Sequence, residues 1–198
     1  MAAPDRTIIL ARHGETEWNR IGRWQGATDI PLSDVGRAQA VALGERLAGH
    51  GIKHACASHL MRARETAEIV AATLSLPMPV MIDPRLRERG YGSFEGLTRE
   101  ECTERHPEAW ARYLADRRAV PPDAEPQAEI ITRMTAAMQT VATATEGVEP
   151  ILVVSHGGAI RSFIHAAADV VLPPLGNGAI VRLRYGADGR FVVMPEMV

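Results

Sequence analysis

Two short apolar runs dominate the hydrophobic pattern, and each stops at the same kind of punctuation. Thr7 to Ala11 carries Ile8, Ile9 and Leu10 with no charge among them and ends at Arg12-His13-Gly14. Ile151 to Ser155 is equally apolar and ends at His156-Gly157-Gly158. Runs of this length, bounded by glycine, predict buried strands rather than helices. Ala55–Ala57 predicts a further strand and Pro79–Ile82 another. Between them the apolar positions move to helical spacing. Ser33 caps a predicted helix from Asp34 to about Ala48, closed by Gly49 and Gly51. Further helices are predicted over Leu60–Leu74, Thr98–His106, Glu108–Arg117, Glu125–Thr145 and Gly158–Ala168, with Pro107 and the Pro121-Pro122 pair as breaks. Ala179–Tyr185 and Phe191–Met194 predict a hairpin across Ala187-Asp188-Gly189. Strands alternating with helices argue for an α/β fold. The least regular segments, Arg20–Pro31 and Leu86–Leu97, mix glycine, aromatic and charged residues, as functional loops do.

A strand that stops at Arg-His-Gly presents a cation and an imidazole at the edge of a sheet, where α/β proteins hold ligands. Gly14 lets backbone come close to whatever binds there. Two strands ending in His-Gly bring two imidazoles to one mouth. Arg62, in the first turn of the helix after Ser58, adds a second cation. Such a ring of donors suits a phosphate group. With 22 Lys+Arg against 24 Asp+Glu the net charge is −2, so any cationic site is local and no basic field points to nucleic acid. Lys53 is the sole lysine, so the cations are almost all arginine. At 198 residues and 46% hydrophobic content the chain reads as one domain, residues 1–198. It has no apolar run near the length of a membrane span, and its polar start and short first apolar run do not resemble a signal peptide. Cys56 and Cys102 lack metal-type spacing and read as reduced, structural residues of a cytoplasmic protein.

Four ordered blocks carry a resemblance to a known family. They are Arg12-His13-Gly14-Glu15-Thr16 with Trp18-Asn19, Gln25-Gly26 and Asp29-Ile30-Pro31-Leu32-Ser33; Ser58-x-Leu60-x-Arg62-Ala63-x-x-Thr66-Ala67; Leu86-Arg87-Glu88 with Gly92-x-Phe94-Glu95-Gly96; and Ser155-His156-Gly157-Gly158. Together they resemble the histidine phosphatase superfamily, also called the phosphoglycerate mutase-like family, over nearly the whole chain. The resemblance implies a three-layer fold with a mostly parallel central sheet flanked by helices. It implies His13 as the nucleophile that forms a phosphohistidine, with Arg12, Arg62 and His156 holding the phosphoryl oxygens. It implies Glu88 as the acid for the leaving oxygen and the base for incoming water. Asn19, Gln25, Gly26, Tyr91 and Gly157 complete the expected phosphate and substrate contacts. No metal is expected, and the partner is a small phosphorylated substrate, with no nucleic acid and no membrane; a monomer or homodimer is compatible. Glu15 is expected to orient nearby backbone or His13, and Glu95 to be structural. His50, His54, His106 and His165 carry no motif, His59 reads as mouth-lining or merely exposed, and Arg64 as solvated or ion-paired.

The same phosphohistidine serves water, giving a phosphatase, or a sugar-acid hydroxyl, giving a 2,3-bisphosphoglycerate-dependent mutase. The short stretch from Glu88 to His156, the Arg23-Trp24-Gln25-Gly26 sequence and the missing central lysine favour the phosphatase branch. Glu88-Arg89-Gly90-Tyr91-Gly92 and Arg117-Arg118 before Pro121-Pro122 resemble the mutases. The bland reading of Arg117-Arg118 is a pair of cations complementing a helix C-terminus. A mixed pocket of Arg87, Arg89, Tyr91 and Arg117 would accept anionic metabolites, sugar phosphates or phosphoserine. A phosphate-binding module without turnover would have no need of His13 and Glu88, and both are present.

Overall fold

The computed structural model describes residues 5–76, 79–116, 119, 121, 123–144 and 150–195. The predicted ends at Arg117 and Thr145, as well as Arg118 and Pro122, lie outside the described residues. Six strands form one sheet: β1 (Arg6–Arg12), β2 (His54–Ala57), β3 (Met81–Ile82), β4 (Ile151–Ser155), β5 (Ile180–Tyr185) and β6 (Phe191–Val193), in the order β3-β2-β4-β1-β5-β6. The first four run parallel and the hairpin β5–β6 is antiparallel. A mostly parallel sheet needs cover on both faces, and the apolar runs lack alternation for that reason. Ile8 and Leu10 pack with Ile151 and Val153 under α6 (Gln127–Ala144) and α7 (Gly157–Ala168). Ile9 and Ala11 pack with Leu152 and Val154 on the other face, under α2 (Asp34–Leu47) and α3 (Met61–Thr73). Each fully buried Ile, Leu or Val among these contributes on the order of 2 kcal/mol. The result is the expected three-layer arrangement.

The remaining helices are α1 (Glu17–Arg20), α4 (Arg99–Arg105) and α5 (Pro107–Ala115). The single turn α1 escapes apolar periodicity, because a capping box holds it: Thr16 and Asn19 each bond the other's backbone amide. The third strand shortens from the predicted Pro79–Ile82 to Met81–Ile82. The helix after Pro126 starts two residues past the predicted Glu125, whose side chain is committed elsewhere. Phe94, Leu97, Cys102 and Trp110 form a smaller core that seats α4 and α5 beside the sheet's carboxyl edge. Both cysteines are free and buried. Burial pushes the Cys56 thiol up to about 12 and the Cys102 thiol up to about 11, so both are inert.

One backbone contact fixes the loop after β1. Ser33 caps α2 through the Gly36 amide and donates its hydroxyl to the Glu15 carboxylate, while its own amide donates to the Glu15 carbonyl at 2.9 Å. A Cβ on Gly36 would lie 2.0 Å from the Glu15 carbonyl oxygen, and one on Gly14 would lie 2.4 Å from the Gly36 oxygen. The start of α2 therefore rests directly on main chain. Gly36→Ala is expected to lower stability by about 1–3 kcal/mol through overpacking. An unchanged urea midpoint would show that the two segments do not approach this closely.

Candidate active site

The four parallel strands deliver the central residues of the site at one edge of the sheet. β1 ends in Arg12 and His13; β4 ends at Ser155 and His156; β2 leads into α3, which carries Arg62; β3 leads to Glu88. Arg12 pairs in register with Ser155, so the two histidines follow at matching positions on neighbouring strands. The His13 amide donates to the Ser155 carbonyl at 3.1 Å, and the two rings stand 5.1 Å apart. Both are buried, His13 at 3% exposure and His156 at 0%.

His13 Nδ1 lies 2.6 Å from the Gly14 carbonyl oxygen. A carbonyl only accepts, so Nδ1 carries the proton and Nε2 keeps its lone pair. Burial, reinforced by the charges of Arg62 and Arg12, holds the His13 ring well below the ordinary histidine range. Burial and the same arginines, with His13, do likewise for His156. Both imidazoles are therefore neutral at neutral pH, and His13 has the electronic form of a nucleophile.

Arg62 is fully buried, and its two terminal nitrogens donate to the carbonyls of Thr28 and Gly26, each at 2.8 Å. Its guanidinium thus anchors the loop that follows Gln25, while Nε has no protein partner. Burial lowers Arg62 to about 10, which leaves it charged. Thr66 steadies this corner, donating to the Arg62 carbonyl and accepting the Gly14 amide. Arg12 donates to the Leu175 carbonyl, and its Nε is also unpartnered. Gln25 Oε1 and both ring nitrogens of His156 complete a set. Five of the six buried, unpartnered side-chain polar atoms among the described residues lie here. Buried polar groups are normally paired, so these unpartnered atoms on four side chains mark a place built for a ligand.

Glu88 faces this cluster from the far side. Its carboxylate accepts from the amides of Arg89 (2.8 Å), Gly158 (3.0 Å) and Ala159 (2.8 Å), at the first turn of α7. Gly158 makes that possible: a Cβ there would fall 2.6 Å from the Tyr91 hydroxyl and 2.7 Å from Glu88 Oε1. The cleft encloses about 410 Å³ and is lined by nine of the ten expected residues: Arg12, His13, Asn19, Gln25, Gly26, Arg62, Glu88, Tyr91 and Gly157; His156 is not on its lining, and its ring stands 5.1 Å from that of His13. Burial and the Glu88 carboxylate push the Tyr91 phenol upward, so it stays a proton-bearing donor. Trp24, Tyr91 and Tyr113 form an aromatic wall, and a hollow of about 620 Å³ opens beyond it, lined by Arg89, Arg99, Arg161 and His165.

Other expectations need correction. Glu15 does not reach His13; its carboxylate is taken by Ser33. Arg87 lines neither hollow, because its guanidinium pairs with Glu125 at 2.8 Å. His59 takes the second of its two expected readings: it is exposed and lines neither hollow. Glu95 is structural as expected, accepting from Ala27, Thr28 and Tyr91 and so joining the two loops of the mouth. Other participants were missed, Tyr113 and Arg99 of the cleft lining among them. Arg161 falls four residues after Gly157, on the same helical face, and that spacing is a usable signal. Asn177, which donates to the His13 carbonyl and to Asn19, and Leu175, which accepts from Arg12, sit in an irregular segment with no local signal. No group of three or more potential metal ligands occurs among the described residues.

The model of the histidine phosphatase superfamily (branch 1) matches residues 8–196. The chain belongs to that superfamily. Relatives of this histidine phosphatase include phosphoglycerate mutase-like protein 4 of Arabidopsis thaliana, 40% identical over 81% of this chain and 70% of the plant protein. Metal-independent phosphoserine phosphatase of the same plant is 37% identical over 78% of this chain and 66% of its own length. Among solved structures, mycobacterial glucosyl-3-phosphoglycerate phosphatase in complex with VO3 superposes with a TM-score of 0.83 at 29% identity, covering 96% of this chain and 97% of the other. No helix of the described residues is long and apolar enough to cross a membrane.

The two buried imidazoles make stability depend on pH. Their folded-state pKa values lie below the unfolded value of about 6.5, so the unfolded chain binds more protons in that interval. Their contribution is complete above that value and is lost as pH falls toward the folded values. Lowering pH through about 6.5 is expected to depress the urea midpoint more in the wild type than in a His13→Ala/His156→Ala double variant. Parallel profiles for the two proteins would contradict the neutral, buried rings.

Proposed function

We propose that this histidine phosphatase is a metal-independent phosphomonoesterase that works through a phosphohistidine on His13 and acts on small phosphorylated metabolites. One observation carries the reading: a neutral, buried His13 ring stands among unpartnered nitrogens of Arg12, Arg62 and His156, with a carboxyl group opposite. His13 Nε2 attacks phosphorus, the bond from phosphorus to the ester oxygen breaks, and the leaving oxygen takes the Glu88 proton. In the second half Glu88 accepts a proton from water, the water oxygen attacks phosphorus, and the phosphorus–nitrogen bond returns its electrons to His13. Arg12, Arg62 and His156 hold the three non-reacting oxygens, and their charge and preset geometry supply most of the catalysis. Glu88 Oε2 accepts one backbone hydrogen bond where Oε1 accepts two, which leaves Oε2 the better seat for the proton.

Asn19, Gln25, Gly26, Tyr91 and Gly157 frame the phosphoryl group, and Trp24 and Tyr113 border the leaving group. The relatives' names support hydrolysis, and one of them carries metal independence in its name. The 2,3-bisphosphoglycerate-dependent mutase is the second reading, kept for the Glu88-Arg89-Gly90-Tyr91-Gly92 sequence and a mutase-like relative. Offering 3-phosphoglycerate in EDTA, with and without catalytic 2,3-bisphosphoglycerate, separates the two. Free phosphate without isomer supports the phosphatase; bisphosphate-stimulated 2-phosphoglycerate with little free phosphate replaces it.

His13→Ala is expected to lower turnover of p-nitrophenyl phosphate by on the order of 10⁴–10⁶-fold, and retention of a tenth of the rate would remove His13 as nucleophile. Because burial lowers the His13 pKa, kcat/KM of the free enzyme should hold up as pH falls past about 6.5. An acid limb centred on that ordinary value would mean that the ring is not shielded.

A further inference from the structure

Glu88 lies on backbone that belongs to no strand or long helix, between the short turns Pro84–Leu86 and Gly92–Phe94. Such a segment has no ladder of its own to fix it. Arg133, on α6, supplies one. Its Nη1 donates to the carbonyls of Arg85 (2.7 Å) and Arg87 (2.6 Å), and its Nη2 to the carbonyl of Glu88 itself (3.1 Å). The same guanidinium forms a two-point pair with the Glu125 carboxylate, at 2.7 and 2.9 Å. Glu125 then closes the far end of the segment. Its carboxylate accepts the Gly90 amide, its own amide donates to the Gly90 carbonyl, and its carbonyl accepts Arg89 Nε. Arg87 Nη1 adds a bond to the Glu88 carbonyl and a second cation for Glu125.

This cluster is sealed. The Glu125 side chain is 6% exposed and that of Arg133 13%. Burial raises the Glu125 carboxyl, but the hydrogen bonds and charges of Arg133 and Arg87 outweigh it and hold the group below its ordinary range. An ion pair buried away from water is weak evidence for stability alone, since desolvation offsets most of its attraction. Its geometry is the informative part: three carbonyls and one amide flanking a single residue are all held by two side chains.

We infer that Arg133 and Glu125 are positioning residues that hold Glu88 in line with the leaving oxygen. The inference rests on Glu88 being the proton donor. Lysine keeps the Arg133 charge but offers one nitrogen in place of a fork that spans three carbonyls. The test therefore compares Arg133→Lys, Glu125→Gln and Glu88→Gln on two esters. An alkyl phosphate such as glycerol phosphate needs its leaving oxygen protonated; p-nitrophenyl phosphate hardly does.

Arg133→Lys is expected to lower kcat/KM for the alkyl ester about 10²-fold, as displacement of an acid by an ångström does, and that for p-nitrophenyl phosphate less than about threefold. KM for the alkyl ester should stay within about twofold, since the phosphate contacts are untouched. Glu125→Gln should show the same bias, and Glu88→Gln a larger one. Equal losses on both esters in Arg133→Lys, with the bias present in Glu88→Gln, would overturn the inference and leave the proton donor standing. Equal losses in Glu88→Gln itself would overturn both. If Arg133→Lys fails to fold, Arg87→Met removes only the outer half of the cluster, a side chain 33% exposed, and must still show the bias.

Discussion

The parallel pairing of β1 with β4 is the constraint on which the site depends. Neighbouring strands stand about 4.8 Å apart, and side chains at matching positions inherit that spacing. The 5.1 Å between the His13 and His156 rings is therefore a property of the backbone ladder, before any side chain is chosen. The ladder is also the most buried part of the molecule, with Ile8 through Ala11 and Ile151 through Val154 wholly out of water. A nucleophile placed on such a frame, the role proposed for His13, moves little, and the effective concentration it would present to phosphorus is correspondingly high.

The same placement makes the empty-handed donors costly. Arg62 sits at zero exposure with two bonds to carbonyls, and His156 has none for either ring nitrogen. A protein tolerates such groups where a ligand will satisfy them, and sheet packing elsewhere carries the deficit. A phosphoryl group fits the demand in number and sign, because each oxygen accepts more than one hydrogen bond and the dianion offsets two guanidinium groups. On the proposed mechanism the stabilisation is greatest in the transition state, when charge spreads over the phosphoryl oxygens.

Much of this was legible in the chain. Apolar runs that stop at His-Gly predicted both strand ends, and helical spacing after Ser58 predicted where Arg62 would start a helix. The parallel sheet itself followed from strands that alternate with helices. What the chain hid were partners made by distant irregular segments. Nothing near Asn177 announces that it holds the His13 carbonyl, and Glu15 looked like a neighbour of His13 while the cap of α2 claimed it. Arg87 read as a pocket cation because three arginines surround Glu88; only the fold reveals that Glu125, 38 residues on, takes its charge. Short side-chain-capped turns such as α1 escape periodicity for a similar reason, since one turn has no period to detect.

The proposed nucleophile and the proposed acid are thus secured in different ways, and the difference bears on how this fold could change substrates. His13, Arg12 and His156 depend on hydrogen bonds between strands, which any change of leaving group leaves intact. Glu88 depends on a side-chain cluster, and Trp24, Tyr91 and Tyr113 stand between it and the outer hollow with its arginines. These residues lie on loops and on α4, α5 and α7, outside the sheet. On the proposed mechanism, replacing them would alter which alcohol leaves, and whether water or a second hydroxyl takes its place, without disturbing the phosphoryl cradle. A fold that hosts more than one substrate is served by that separation between a rigid strand edge and an adjustable rim.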